Sequence, residues 1–433
     1  MKKILTIAAI LLAAAVSASA QSGTWSGKLE VQGMELPIVF HLEDENPTAD
    51  SPDQGARGIP IEVDRKATGS IVIRIPSLGA VFEGQWVLRQ IVGTFTQMGM
   101  SFPLTLVPGD LKRNRPQTPQ GPFPYGQEEV TFKNGGATLK GTLTLPSDFT
   151  RETPALVMVT GSGQQNRDEE IFGHKPFAVI ADALARTGIA TLRYDDRGFG
   201  ESTGDLSSAT TEDLKDDALA GVDLLRGRFD RVGVLGHSEG GTIALMIAAE
   251  GKADFVVSLA GAVVSGAETL LWQNRLALSA AGLPDETVET YCSLLSEAFD
   301  AVRAGLPMPS AANAANKDLP DGLKQNYQQV VQQLRIPYMQ YFISLDMRPL
   351  LGGIRCPVLA LNGSKDHQVE PVSNLGALKE GLPSNPATLV EEIEGLNHLF
   401  QHCKSGEVVE YKEIEETFSP EVLDLMARWI GGL

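Results

Sequence analysis

Val232-Gly233-Val234-Leu235-Gly236-His237-Ser238-Glu239-Gly240-Gly241 is the stretch that decides the fold. An apolar run leads straight into a G-x-S-x-G turn, and residues 242–249 behind it read as a helix. Strand, tight turn and helix in that order form a nucleophile elbow, which lifts the serine Oγ clear of the sheet. Side chains at 236 and 240 would collide with neighbouring backbone in so tight a turn, and glycine removes the clash. Ser238 is therefore the candidate nucleophile, and the surrounding architecture is expected to be α/β.

The pattern alone is weak, because with 44 glycines in the chain such strings arise by chance. Gly200-Glu201-Ser202-Thr203-Gly204 is a second example. There the strand-like run 189–194 ends well before the serine, and the next helix-like segment starts near Thr211. Ser202 reads as a turn or cap residue.

The bulk properties limit what else the chain can do. Met1-Lys2-Lys3, the apolar stretch 4–16 and Ala18-Ser19-Ala20 have the layout of a secretory signal peptide, too short to span a membrane. The expected product is exported, periplasmic or extracellular, with no membrane span. The chain carries 36 Lys and Arg against 54 Asp and Glu, a formal charge of −18. Such a surface repels nucleic acid and anionic lipid. Cys292, Cys356 and Cys403 are too few for a disulfide framework, although one bridge is possible. Without a C-x-x-C pair or an H-E-x-x-H helix, no metal site is expected; His398 and His402 have an i, i+4 spacing but no third ligand cluster beside them. Neither metal nor cofactor is called for.

Pro108, Pro116, Pro119, Pro122 and Pro124 mark a break at 108–125 that reads as an ordered or semi-rigid linker. Before it, in 21–107, short β-branched segments such as 27–31, 36–42, 70–75 and 92–96 suggest a small antiparallel β domain with no catalytic constellation. After it, in 126–433, strand-like and helix-like runs alternate, which predicts a mostly parallel sheet covered on both faces. Strands are expected at 127–132, 137–145, 155–160, 190–194, 231–235, 255–259, 357–361 and 388–393, with helices near 177–187, 211–226 and 420–429. Residues 265–348 carry helical patterning without a convincing strand and are expected to form a helical cap.

A serine nucleophile needs a base and a carboxylate that orients it, and behind an elbow these follow in the order Ser, Asp/Glu, His. Of the histidines far enough downstream, His367 adjoins the best acid candidate. His398, in Gly395-Leu396-Asn397-His398, is placed to reach over the sheet edge, with His402 the alternative. Asp366, in Asn362-Gly363-Ser364-Lys365-Asp366, follows the strand at 357–361, where this architecture puts its acid. The oxyanion of the tetrahedral intermediate needs backbone donors. The N–H of Glu239 is one candidate, and Gly163 or Gln164 in the loop after Thr160 the other.

As an ordered set, Thr160-Gly161-Ser162-Gly163 through Asp168-Glu169, Arg193-Tyr194-Asp195-Asp196-Arg197-Gly198-Phe199-Gly200, the elbow, Asn362 to Asp366 and Leu396-Asn397-His398 resemble bacterial α/β-hydrolase carboxylesterases related to prolyl-oligopeptidase-like peptidases and acetyl-ester hydrolases. The likeness runs from about residue 125 to 433. It departs from the family at Thr160, where histidine is common. The resemblance implies an α/β-hydrolase fold and hydrolysis of a small-molecule or glycan-linked acyl ester, with Ser238, Asp366 and His398 as triad. Peptide hydrolysis is the second reading, although the β domain is too short for the propeller that gates the related peptidases. The third is a binding protein on a hydrolase scaffold, with the β domain as its working part.

Overall fold

Burial along the strands changes character at about residue 140, and the architecture changes with it. A computed structural model describes residues 23–433 apart from positions 32–33, 44, 55, 67–68, 111–112, 308 and 316. The leader read at 1–20 lies outside the described residues. The chain forms two units: one runs to Asn114 and takes in Ile171–Gly173, and the other comprises Arg115–Glu170 and His174–Leu433.

In the first unit the strands alternate buried and exposed positions, the mark of antiparallel sheet with one wet face. Its strands are β1 (Thr24–Val31), β2 (Met34–His41), β3 (Thr48–Ser51), β4 (Ala56–Pro60), β5 (Glu62–Arg65), β6 (Ser70–Ile75), β7 (Ala80–Val87), β8 (Gln90–Gln97) and β9 (Met100–Pro108). They pair in the order β4-β3-β2-β1-β9-β8-β7-β6-β5, all antiparallel, so β9 returns to lie beside β1. Phe40, Ile71, Ile73, Phe82, Ile91 and Leu106 are wholly buried inside it. An apolar cavity of about 350 Å³ opens among Ile38, Ala49, Ile59, Ile75, Phe95 and Phe102.

In the second unit the central strands are buried on both faces, as parallel strands are. The strands are β10 (Gly126–Asn134), β11 (Ala137–Leu145), β12 (Ala155–Val159), β13 (Ala190–Tyr194), β14 (Val232–His237), β15 (Val256–Leu259), β16 (Val358–Gly363) and β17 (Leu389–Ile393). The order is β10-β11-β13-β12-β14-β15-β16-β17, antiparallel at β10, β11 and β13 and parallel from β13 onward. All eight lie at the expected positions within a few residues.

Helices α1 (Pro176–Arg186), α2 (Thr211–Arg226) and α3 (Glu239–Ala249) follow β12, β13 and β14. The cap runs α4 (Gly266–Ala280), α5 (Asp285–Arg303), α6 (Ala312–Ala315), α7 (Asp321–Gln333), α8 (Pro337–Ser344) and α9 (Arg348–Leu351). Then come α10 (Pro371–Gly381), α11 (Val408–Tyr411) and α12 (Pro420–Gly431). One face of the sheet buries Ala218, Val222, Leu225, Leu375 and Leu378 with the length of α3. The other buries Phe177, Ile180 and Leu184 of α1 against Val422, Met426 and Ile430 of α12. At about 1.5–3 kcal/mol per large side chain removed from water, these two layers supply most of the drive to fold. Helix α3 starts at Glu239 rather than at 242, because the serine turn itself begins it.

The proline-rich segment is tied down from Arg115 onward. Arg115 donates to the carbonyls of Ile414 and Lys412 at 2.7 and 2.9 Å, and Gln117 exchanges hydrogen bonds with the backbone of Thr417 and Phe418. All three cysteines are free thiols.

Candidate active site

Ser238 sits between β14 and α3 with φ 54° and ψ −120°, a conformation that costs a non-glycine residue about 1–3 kcal/mol. Its N–H donates to the Leu259 carbonyl at 2.8 Å, which fixes the turn to the neighbouring strand. A Cβ at 236 would lie 1.8 Å from the Gly240 oxygen, and one at 240 would lie 2.0 Å from the Val159 oxygen. Backbone cannot yield there, so the two glycines are what allow the strained serine. Ser238 itself is only partly buried. Glu239 is the first residue of α3, so its N–H has no partner one turn earlier.

Asp366 lies in the turn after β16 and His398 in the loop after β17. The two loops are joined by the Lys365 N–H to Leu396 carbonyl bond at 2.9 Å. His398 Nδ1 lies 2.8 Å from Asp366 Oδ2, and both side chains are almost fully buried. The carboxylate also accepts from Asn362 Nδ2 at 3.2 Å and from the N–H groups of Gln368 and Val369 at 2.8 and 2.9 Å. Four bonds fill its acceptor positions, so the proton between the pair belongs on Nδ1 and leaves Nε2 with a lone pair. Asn397 stiffens the histidine loop by accepting from the N–H groups of Leu399 and Gln401. Among the described residues no hydrogen bond joins Ser238 Oγ to His398; such bonds commonly form only when substrate binds.

The loop after β12 reaches the elbow through Gly161, where a Cβ would lie 3.2 Å from that of Ser238. The Gly161 N–H is occupied: it donates to Glu169 Oε1 at 2.7 Å. The same oxygen lies 2.9 Å from His237 Nδ1, and His237 Nε2 lies 2.9 Å from the His398 carbonyl. Burial works against charge on His237, but the Glu169 carboxylate beside it holds its pKa above the usual histidine value. Thr160 donates its hydroxyl to Asp196, which also accepts the Gln165 N–H at 2.8 Å. Burial pushes the Asp196 carboxyl up to about 8, helped by the charges of Glu169 and Glu239 and opposed by those two hydrogen bonds.

This geometry can be set beside known proteins. Residues 156–410, more than half of the chain, match the profile of the alpha/beta hydrolase family. The chain belongs to that family. Esterase EstD of Thermotoga maritima is 29% identical over 312 residues, which cover 71% of this chain and 68% of that protein. Among solved structures, proline iminopeptidase of Mycobacterium smegmatis aligns over 70% of this chain and 98% of its own, with 17% identity and a TM-score of 0.43. Est1E of Butyrivibrio proteoclasticus aligns over 70% and 99%, with 18% identity and a TM-score of 0.40.

Other residues singled out in the sequence of this alpha/beta hydrolase sit elsewhere. Ser202 is buried, donates to the Asp195 carbonyl at 2.7 Å and accepts the Lys140 N–H, so it braces a turn. His367 faces Glu407 at 3.2 Å, and His402 is exposed between Glu416 and Glu421. Gly163 and Gln164 are both exposed, and their N–H groups, like that of Ser162, have no acceptor within the described residues. Nothing in the sequence assigns a role to Glu169, His237 or Asp196. The signal for His237 is its place beside the nucleophile; for the other two there is none beyond polarity in a loop. The apolar cap residues Leu270, Leu271, Trp272, Leu276, Tyr338 and Phe342 read from the sequence as either cap core or substrate wall.

The cap divides its apolar residues. Leu270, Leu271 and Phe342 pack into the cap's own core around Tyr291, Leu295 and Tyr327. Trp272, Leu276 and Tyr338 are half-buried outside it.

Proposed function

We propose that this chain is an exported serine carboxylesterase that cleaves acyl esters through an acyl-enzyme. Two observations support the reading: the buried Asp366–His398 pair, and a serine held in a strained elbow directly after His237, whose ring lies 4.7 Å from that of His398. The relation to an esterase of Thermotoga maritima supports the ester over the peptide bond.

In this mechanism Ser238 Oγ attacks the acyl carbon while His398 Nε2 takes its proton, and Asp366 stabilises the imidazolium that forms. The oxyanion is met by the Glu239 N–H and by one donor from residues 162–164, with Gly161 excluded because its N–H is spent on Glu169. The tetrahedral intermediate collapses, His398 returns the proton to the leaving alcohol, and water then releases the acid by the same steps in reverse order of roles. Of the cap side chains, Tyr338 reaches the residue after the nucleophile and is the one expected to meet substrate.

p-Nitrophenyl acetate, butyrate, octanoate and palmitate, assayed with wild type and Ser238→Ala, test the reading. Turnover that peaks at short chains and disappears in the variant is expected; equal turnover by both contradicts it. Export is tested by the mass of the protein recovered from the periplasm or medium, where loss of residues 1–20 is expected and retention of Met1-Lys2-Lys3 contradicts it.

A further inference from the structure

His237 is enclosed by protein, with Phe177, Ile180, Leu259, Leu399 and Phe418 lining the space around it. Both ring nitrogens are committed. Nε2 lies 2.9 Å from the His398 carbonyl, and a carbonyl only accepts, so Nε2 carries a proton. Nδ1 lies 2.9 Å from Oε1 of Glu169, and facing a carboxylate, which only accepts, it would carry the other. Oε1 is the oxygen that receives the Gly161 N–H, the arrangement of a carboxylate with two donors. The titratable groups that face the ring are Glu169, the His398 ring at 4.7 Å between centroids, and the charge of Asp366. Glu169 is aimed inward by a backbone φ of 52°, uncommon outside glycine.

We infer that Glu169 and His237 form a buried ion pair that positions both halves of the catalytic centre: the loop at 161–164 that supplies the second oxyanion donor, and the loop that presents His398. The inference rests on the esterase reading and adds to it. Neither residue touches the reacting atoms. Each acts through a backbone group, Glu169 through the Gly161 N–H and His237 through the His398 carbonyl. A neutral imidazole donates at one nitrogen only and would release one of the two loops. The charge on His237 therefore serves geometry, and burial beside apolar side chains makes the pair strong.

The test uses the full exported chain labelled with [15N]histidine. Long-range 1H–15N spectra report which ring nitrogens are protonated, and His237→Gln identifies the His237 signals. Both nitrogens of His237 are expected to stay protonated from about pH 6 to 8.5, beyond the range of an unperturbed histidine. Glu169→Gln keeps a carbonyl oxygen for the Gly161 N–H and removes the charge. It is expected to lose the second His237 proton and about 10- to 100-fold in kcat, as a misplaced catalytic group does, with KM within about twofold. A wild-type His237 protonated at one nitrogen at neutral pH overturns the ion pair. A Glu169→Gln enzyme with wild-type kcat and a singly protonated His237 overturns the positioning role. Where Glu169→Gln fails to fold, His237→Gln carries the same expectation, since its single amide cannot serve Glu169 and the His398 carbonyl together; wild-type kcat there is equally contrary. The protonation result needs no turnover, so it fails separately from the esterase reading, which Ser238→Ala tests alone.

Discussion

Tyr338 of the cap donates its hydroxyl to Oε2 of Glu239 at 2.6 Å, so the cap is hydrogen-bonded to the residue that follows the elbow serine. The other oxygen of Glu239 accepts from Thr211 Oγ1 at 2.7 Å. One turn on, Tyr341 donates to Glu212 Oε2 at 2.7 Å and ties the same cap helix to α2. Burial and the Glu239 charge hold the Tyr338 phenol well above the usual tyrosine range, so it remains a donor at every working pH.

Removing that hydroxyl leaves one oxygen of a buried carboxylate without its partner, at a cost of about 1–3 kcal/mol. Tyr338→Phe is accordingly expected to lower the urea midpoint and to speed proteolysis within α5–α8. An unchanged midpoint and digestion rate would mean the latch contributes nothing.

Asp366→Asn keeps the size of the side chain but offers an amide N–H where His398 Nδ1 needs an acceptor. The imidazole then turns to the wrong tautomer, and kcat on p-nitrophenyl acetate is expected to fall about 10⁴-fold, as in other triads, with little change in KM. A loss below about tenfold would place the orienting acid elsewhere.

Asp196 gives the stability a pH dependence of unusual sign. Its carboxyl holds a proton up to about pH 8 in the folded chain but only to about 3.8 when unfolded. Between those values the native state binds the extra proton, so this group's contribution falls as pH rises, by about 1.4 kcal/mol per pH unit, and is fully lost above pH 8. Asp196→Asn, which mimics the protonated form, removes the effect. Urea midpoints of wild type and variant, measured from pH 5 to 8, are expected to diverge in the variant's favour as pH rises; parallel curves contradict the assignment.

Legibility in the sequence tracked how local each feature is. The parallel strands could be placed because burial on both faces leaves apolar runs such as Val358-Leu359-Ala360-Leu361. Ser238, Asp366 and His398 could be singled out because each follows a strand, and chain order then restricted their roles. The edge strands β4 and β5, with Ala56-Arg57-Gly58-Ile59-Pro60 and Glu62-Val63-Asp64-Arg65, have too little apolar alternation to be read as strands. Glu169 and His237 are 68 residues apart and meet only because the loop after β12 folds onto the elbow. Asp195 and Asp196 are adjacent and chemically alike, yet one braces Arg167 while the other is buried beneath Thr160. No one-dimensional pattern separates such neighbours.

Gly240→Ala tests the close packing of the elbow. Its Cβ would meet the Val159 oxygen at 2.0 Å, so β12 or α3 must shift. Esterase activity is expected to be lost even where circular dichroism shows the protein folded. Full activity in a folded variant would contradict the elbow geometry.

Covalent trapping with a fluorophosphonate, followed by peptide mass spectrometry, reads out whether Ser238 is the nucleophile. A single adduct on the Ser238 peptide is expected, absent in Ser238→Ala and slowed in His398→Ala. An adduct on Ser202 or another serine, or labelling that survives Ser238→Ala, would contradict the account.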